Sequence, residues 1–336
     1  MKLRSGARVA VAGAGALGSA VTLRLARLGF EVTVFDPSPP GVNASGVAAG
    51  MLAPLSEALF DPASRHHLDL MRRARALWPD FAQALGLMLV RSGVRIEGAD
   101  AWRREVATRL DALGAPAGAL VVEDWRIDAR QALEALHEAA RQAGAEFRSV
   151  AVQGFEPGVV ELADGRREAF DALVLATGPG VRHGGIAPET STLEPIKGQI
   201  LRLPERDEGE TPVVRGEGVY LAPGASLAIG ATMEHGRDDL APDPAATRAL
   251  RAAAAMLRPD LDLDSAAVDV GVRVTTPDGL PLVGWSQTPG VMLAVGARRN
   301  GWLFAPLVAD MVAAYLTGDN LGQDATAMYA RRFEKP

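Results

Sequence analysis

Cysteine is absent from the 336-residue chain. That excludes disulfides, thiolate metal sites, cysteine nucleophiles and thioether-linked prosthetic groups. Histidine is scarce, at His66, His67, His137, His183 and His235, and no pair has H-x-x-x-H or H-E-x-x-H spacing. A metal site is therefore not expected. No apolar run is long and continuous enough to span a bilayer. Net charge is −6 with acids and bases interspersed, so no basic footprint for nucleic acid or an anionic membrane is present. Side chains alone offer no redox centre, and any redox chemistry needs a bound cofactor. The missing cysteines agree with a reducing, cytoplasmic setting. Hydrophobic residues at 48% and charged residues at 23% fit a globular protein, and the length allows one large domain or two moderate ones.

What is present is concentrated near the start. Arg8 to Ala12 is a short apolar run bounded by glycine, as a buried parallel strand should be. Gly13, Gly15 and Gly18 follow in G-x-G-x-x-G spacing, then a helical pattern with Leu17, Val21, Leu25 and Leu28, then a second apolar run from Val32 to Phe35 ending on Asp36. Gly13 permits the tight turn, Gly15 lets a pyrophosphate approach the backbone, and Gly18 lets helix and sheet pack closely. Ala16 and Leu17 open the helix, whose N-terminus offers free N–H groups to phosphate. Asp36, about twenty residues on, is placed to accept from ribose hydroxyls. The ordered set of strand, glycines, helix, strand and acid points to a dinucleotide. Lys2, Arg4 and Arg8 before an Ala-rich run also outline a secretory signal. Its merging into a patterned strand–helix–strand unit argues against cleavage.

Further along, Ala44 to Pro54 is small and glycine-punctuated, suited either to close approach of a flat ligand or to tight packing. Ser64 to Leu85 reads as one amphipathic helix, and Leu87 to Val90 and Val94 to Glu97 as short strands. Asp128 and Gly144 bracket a long helix as caps. Phe170 to Leu175 is an apolar strand running into Ala176-Thr177-Gly178, the end of a strand where ligand loops lie in open α/β sheets. From Leu193 to Thr232 several strands succeed one another and break the β–α alternation, which predicts a mainly antiparallel second domain. The last part returns to strands with Arg273, Pro277-Asp278-Gly279 and Arg298-Arg299-Asn300-Gly301, followed by a helix from Trp302 to Leu316.

Taken in order, the N-terminal fingerprint, Ala48-Ala49-Gly50-Met51, Ala176-Thr177-Gly178, Pro195-Ile196-Lys197-Gly198, Gly230-Ala231-Thr232-Met233-Glu234, Gly271-Val272-Arg273, Pro277-Asp278-Gly279-Leu280-Pro281 and Arg299-Asn300-Gly301 resemble the D-amino-acid-oxidase family of flavoproteins, its glycine-oxidising branch of the thiamine pathway above all. The resemblance spans nearly the whole chain. It implies an α/β fold with a Rossmann-like FAD-binding domain built from 1–85, 126–192 and 266–336, and an antiparallel substrate domain from 86–125 and 193–265. It implies noncovalent FAD held by Gly13, Gly15, Ala16, Leu17, Gly18, Asp36, Ser45, Ala48, Ala49, Gly50, Met51, Val150, Thr177, Gly178, Arg273, Arg299, Asn300, Gly301 and Trp302. Tyr220 and Arg273 match the family's contacts to the substrate carboxylate, and Arg299 stands beside the reacting centre. A homo-oligomer is implied by the family alone. Ala297 departs from a common histidine, and Trp302 from an aliphatic residue, so that Trp302 is expected to narrow the pocket or shield the flavin.

These residues suit oxidative deamination of glycine or a small D- or N-substituted amino acid. Arg273 and Tyr220 would fix the carboxylate, hydride would pass to flavin N5, and the imine would be hydrolysed while oxygen is reduced to peroxide. Of Arg298 and Arg299, the motif register favours Arg299 as the one facing the site. A structural ion pair with a domain acid is the plainer role for Arg273, and a core position the plainer one for Tyr220. The rival readings are a dehydrogenase with another electron acceptor, a nicotinamide enzyme, which leaves the later motifs unexplained, and a non-catalytic flavin-binding protein. A relative fused to tRNA-modifying modules is disfavoured by length and the lack of a basic surface.

Overall fold

Strand Arg8–Ala12 lies in the middle of a six-stranded sheet, buried on both faces as its unbroken apolar run requires. The order is Leu282–Trp285, Val291–Val295, Ala172–Leu175, Arg8–Ala12, Glu31–Phe35, Glu146–Arg148, parallel throughout except for the first strand. The computed structural model describes residues 2–116, 118, 120–182, 185–204 and 211–334; His183 lies outside them. Alternate residues of the central strand serve two cores. Val9 and Val11 face the helices Ala16–Arg27, Ala129–Gln142 and Gly301–Thr317. Ala10 and Ala12 face a core shared with the antiparallel strands Val152–Glu156, Val159–Leu162 and Arg167–Ala169.

A second sheet has eight strands. Glu194–Leu203 is its spine. Ala267–Thr275 runs antiparallel along one side of it over the full length, from Glu194 opposite Thr275 to Arg202 opposite Ala267. Leu227–Gly230, Val219–Ala222 and Val213–Gly216 follow on the other side by antiparallel pairing. Val94–Ile96 and Leu120–Val121 complete that edge, and Glu234–His235 pairs with the spine at Ile196 and Lys197 as the eighth strand. The strand Ala267–Thr275 thus pairs in this sheet although it falls within the 266–336 segment. Leu201, Leu221 and Ile229 pack with Leu250 and Ala254 of helix Pro244–Leu257 on one face. The opposite face is left for the site.

Local chemistry explains where the sequence reading and the structure part. The expected helix over 64–85 is three pieces, a 3-10 turn Arg65–His67 and helices Leu68–Ala76 and Trp78–Ala84. Pro79 has no N–H to give to the preceding turn, and it sits instead in the first turn of the last piece. Residues 87–89 form no strand; Val90 alone bridges Arg126. The caps agree with expectation, since Asp128 accepts from the Arg130 and Gln131 N–H groups and Gly144 takes φ +96° just past the helix end.

Leu303 is fully buried where helix Gly301–Thr317 packs on Ala16–Arg27. Leu303→Ala should lower the unfolding free energy by about 2–5 kcal/mol. Denaturant unfolding with FAD in excess measures this, and a loss well under 1 kcal/mol would contradict the packing described.

Candidate active site

The loop after Arg8–Ala12 is shaped by its glycines. Gly13 has φ +103°, and a Cβ there would lie 2.4 Å from the Ala176 carbonyl oxygen. A Cβ on Gly18 would lie 2.0 Å from the Gly13 carbonyl oxygen, so this residue is occupied by helix–sheet packing, with no part in the cavity wall. A Cβ on Gly15 would meet only the Ser45 hydroxyl, at 3.0 Å. Asp36 accepts from the Ala14 N–H at 2.7 Å and the Ser38 N–H at 2.9 Å, which locks the acid at the end of its strand. Ser45 Oγ accepts from the Ala16 N–H at 2.9 Å. Behind the loop, Nε2 of the buried His137 lies 2.9 Å from Ser19 Oγ and 3.1 Å from the Ala14 carbonyl. Burial lowers the pKa of that imidazole.

A cavity of about 420 Å³ runs from this loop to the strand Ala267–Thr275. Its wall includes Gly13, Gly15, Ala16, Leu17, Asp36, Ser45, Ala48, Thr177, Gly178, Arg273, Arg299, Gly301 and Trp302, brought together from segments far apart in the chain. Other expected residues stand back from it. Ala49 lines a separate cavity of about 210 Å³ beside Asp128 and Arg202. Gly50, at φ +73°, would put a Cβ 2.1 Å from the Ile127 carbonyl, and Met51 pairs with Arg126. Val150 precedes Ala151 and Val152, which do reach the wall. Asn300 is buried as the N-cap of Gly301–Thr317. Trp302 is pinned, donating from its indole to the Ser45 carbonyl at 3.0 Å and meeting Trp78 edge-on at 6.4 Å.

The far wall is strand Ala267–Thr275, from Val270 to Val274, and Tyr220 stands on the same face of that sheet. A Cβ on Gly198 would lie 2.5 Å from Arg273 Nη1, and a Cβ on Gly230 would lie 2.4 Å from the Tyr220 hydroxyl. Two glycines therefore make the room in which these side chains lie. Tyr220 is buried, and burial raises its phenol above the ordinary value against the pull of Arg273 and Arg299. Arg273 has no ion pair among the described residues, and its Nη1 is buried without a hydrogen bond. Burial lowers its pKa, which neighbouring Tyr220 partly offsets.

Both members of the Arg298-Arg299 pair reach the cavity, each held by an acid that the sequence reading did not single out. Arg299 Nη2 lies 3.0 Å from Glu57, and Arg298 Nε lies 2.9 Å from Asp61. Arg298 adopts φ +51°, an uncommon backbone for a non-glycine residue, which lets consecutive arginines reach two acids. Burial works to lower the Arg299 pKa, but Glu57 and Asp61 outweigh it and raise the net value. Glu57 sits on the short helix Pro54–Phe60 and Asp61 ends it. Asp124 holds that helix from outside, accepting from the Leu55 N–H at 3.0 Å and the Ser56 N–H at 2.9 Å. Burial pushes the Asp124 carboxyl up to about 7 against those two bonds. Glu57, Asp61 and Asp124 carry no local motif, and only the tertiary fold brings them to the arginines.

The donor set fits a dinucleotide with a polar ring. The glycine loop is open to the cavity, and Thr177 Oγ1 is buried there with no partner. Helix Gly301–Thr317 begins on the wall with no side-chain cap, so its positive end faces the space. Comparison with known proteins settles the kind of dinucleotide. The family model of DAO, the FAD dependent oxidoreductases, matches residues 8–315.

The chain belongs to the DAO family of FAD-dependent oxidoreductases.

Glycine oxidase from Geobacillus kaustophilus is 32% identical over 349 residues, covering 91% of each chain. The crystal structure of glycine oxidase from that organism has a TM-score of 0.79 at 26% identity, over 98% of this chain and 100% of that one. The bifunctional protein ThiO/ThiG of Trichormus variabilis is 29% identical over 97% of this chain and 55% of its own length, so this chain spans about half of it. The fold is accordingly the α/β fold of DAO-type flavoproteins, and the cofactor of this family member is FAD.

Two outcomes test the site. Gly15→Val should give protein that purifies without its yellow colour, because the side chain would grow towards Ser45 into the cavity; a full flavin complement by absorbance would remove Gly15 from the phosphate loop. Asp124 sets a pH dependence. The folded state holds its proton up to about pH 7, against 3.8 as the ordinary value. Its contribution to stability therefore falls as pH rises from about 4 to about 7. The unfolding free energy of wild type minus that of Asp124→Asn should decline across this window, and a difference that rises or stays level contradicts the assignment.

Proposed function

We propose that this DAO-family protein catalyses the oxidative deamination of glycine or a small D- or N-substituted amino acid to the oxo acid, with oxygen reduced to peroxide. One observation carries the reading. Arg273 stands on the cavity wall with no acid partner among the described residues, beside the buried hydroxyl of Tyr220. A guanidinium fork and a phenol together match a carboxylate. The names of the relatives, glycine oxidase among them, agree with a carboxylate-bearing amine as substrate.

FAD, which Gly13, Gly15, Thr177 and Trp302 on the cavity wall would hold, would supply the two-electron oxidant for the Cα–H bond. The chain's own residues do the rest. Arg273 and Tyr220 anchor the carboxylate, and Gly198 and Gly230 keep open the space in which they lie. Trp302, held by Ser45 and Trp78, gives the pocket a rigid wall that excludes water. Glu57 and Asp61 fix Arg299 and Arg298, so these cations are neutralised in place. The uncapped start of helix Gly301–Thr317 offers N–H groups to negative charge accumulating in the cavity. The eight-stranded sheet acts as the substrate unit and the six-stranded sheet as the FAD unit in this reading.

Arg273→Ala should weaken substrate binding by about 2–5 kcal/mol, the usual cost of losing one partner of a desolvated charge pair. Steady-state KM for the amino acid, read beside anaerobic bleaching of the flavin band, measures it. A normal KM in the variant removes the carboxylate role from Arg273. Absence of peroxide, with bleaching retained, would replace oxygen by another acceptor.

A further inference from the structure

Three arginines line the cavity and a fourth, Arg215, stands beside Tyr220 on the same sheet face; of these four, two have acids among the described residues. Arg299 and Arg298 are paired with Glu57 and Asp61. The guanidinium groups of Arg273 and Arg215 have no hydrogen bond or ion pair to any described residue, and Arg273 Nη1 and Arg215 Nε are buried without a partner. Arg273 already answers to one carboxylate. Arg215 is a second uncompensated cation on the same sheet face, beside Tyr220.

The sheet register puts it there. Arg215 is directly opposite Tyr220, and Tyr220 is directly opposite Gly230, so Arg215 and Tyr220 rise from one face. Gly230 is opposite Ile200, and along that spine Ile200, Gly198 and Ile196 share the face. Arg273 is opposite Ile196 and lies over Gly198. Arg215, Tyr220 and Arg273 thus stand on a single side of the sheet, with the tyrosine between the two cations in the strand order.

Packing holds Arg215 without neutralising it. Its guanidinium lies over the Phe60 ring at 4.6 Å and beside the Tyr220 ring at 5.8 Å. Aromatic faces steady a guanidinium while leaving its in-plane N–H groups free to bind an anion. The nearby acids are engaged elsewhere. Asp124 is taken by the first turn of Pro54–Phe60, and Glu57 Oε1 by Arg299; Glu57 Oε2 is buried without a bond and makes no ion pair with Arg215. Burial, reinforced by the positive charge of Arg299, pushes the Arg215 pKa down to about 10. It remains a cation at neutral pH, and an arriving anion relieves both effects.

We propose that the substrate carries a second carboxylate, bound by Arg215 while Arg273 and Tyr220 hold the first. The proposal rests on the amino-acid reading above and narrows it to acidic D-amino acids or N-carboxymethyl amino acids. The two differ in whether the second carboxylate hangs from the α-carbon or from the nitrogen, but the cation they need is the same.

The test uses the FAD-loaded enzyme and two series of probes. The first series does not react: acetate, propionate, malonate, succinate and glutarate, followed by perturbation of the flavin spectrum. The best dicarboxylate should bind about tenfold to a hundredfold more tightly than the monocarboxylates, the effect of one added charge-assisted pair. Arg215→Met should erase that advantage, and Arg215→Lys should keep part of it. Dicarboxylates that bind no better to wild type, or an advantage that survives in Arg215→Met, overturn the proposal. The first of these readings needs no variant and so does not depend on whether one folds.

The second series reacts: glycine, D-alanine, D-aspartate, D-glutamate and iminodiacetate. The ratio of kcat/KM for the best diacid to that for glycine should exceed one, and Arg215→Met should lower it by about tenfold or more. A preference for D-aspartate or D-glutamate places the second carboxylate on carbon, and one for iminodiacetate places it on nitrogen. Bleaching by glycine or D-alanine with no diacid preference overturns this proposal and leaves amino-acid oxidation standing. Failure of every amine to bleach the flavin overturns amino-acid oxidation, while the first series still decides the role of Arg215.

Discussion

The carboxyl group of Asp124 accepts from two N–H groups at the start of the Pro54–Phe60 helix, and three side chains of that helix and its cap then hold three arginines. Glu57 takes Arg299, Asp61 takes Arg298, and Phe60 carries Arg215 on its ring. A helix of two turns has little stability of its own. Its position is set by what caps it and by what it packs on. The charge pattern of the substrate wall therefore descends from one buried acid that touches none of the arginines directly by hydrogen bond or ion pair.

The same wall depends on absence of side chains. Arg273 and Tyr220 occupy volume that any Cβ at Gly198 or Gly230 would fill. Neither glycine has a positive φ, so the backbone does not demand glycine there. Space for a neighbour is the reason. The site is thus defined by a cation and a phenol placed over gaps in a sheet, with Arg298 and Arg299 neutralised by acids from a helical segment laid across from another part of the chain.

Legibility in the sequence followed contiguity. The strand, glycine loop, helix and Asp36 were readable because each constraint acts on residues within one βαβ unit, and Thr177-Gly178 because it ends an obvious buried strand. Arg273 stood out as a cation among valines on a strand. Glu57, Asp61, Asp124 and Arg215 gave no comparable signal. Their neighbours in sequence form no recognisable motif, and their meaning arises from contacts across separations such as the 237 residues between Asp61 and Arg298. The expected single helix over 64–85 shows the converse limit, where a correct apolar period conceals a proline that divides it.

The strand order also bears on how the chain is made. Arg8–Ala12, Glu31–Phe35, Glu146–Arg148 and Ala172–Leu175 can pair among themselves while synthesis continues, but Val291–Val295, which covers the remaining edge of Ala172–Leu175, emerges near the end. The spine Glu194–Leu203 likewise waits for Ala267–Thr275 to cover its whole length. Two open sheet edges therefore persist on the ribosome, each able to pair with the wrong partner. Slow translation of the last third of the chain leaves both edges uncovered together.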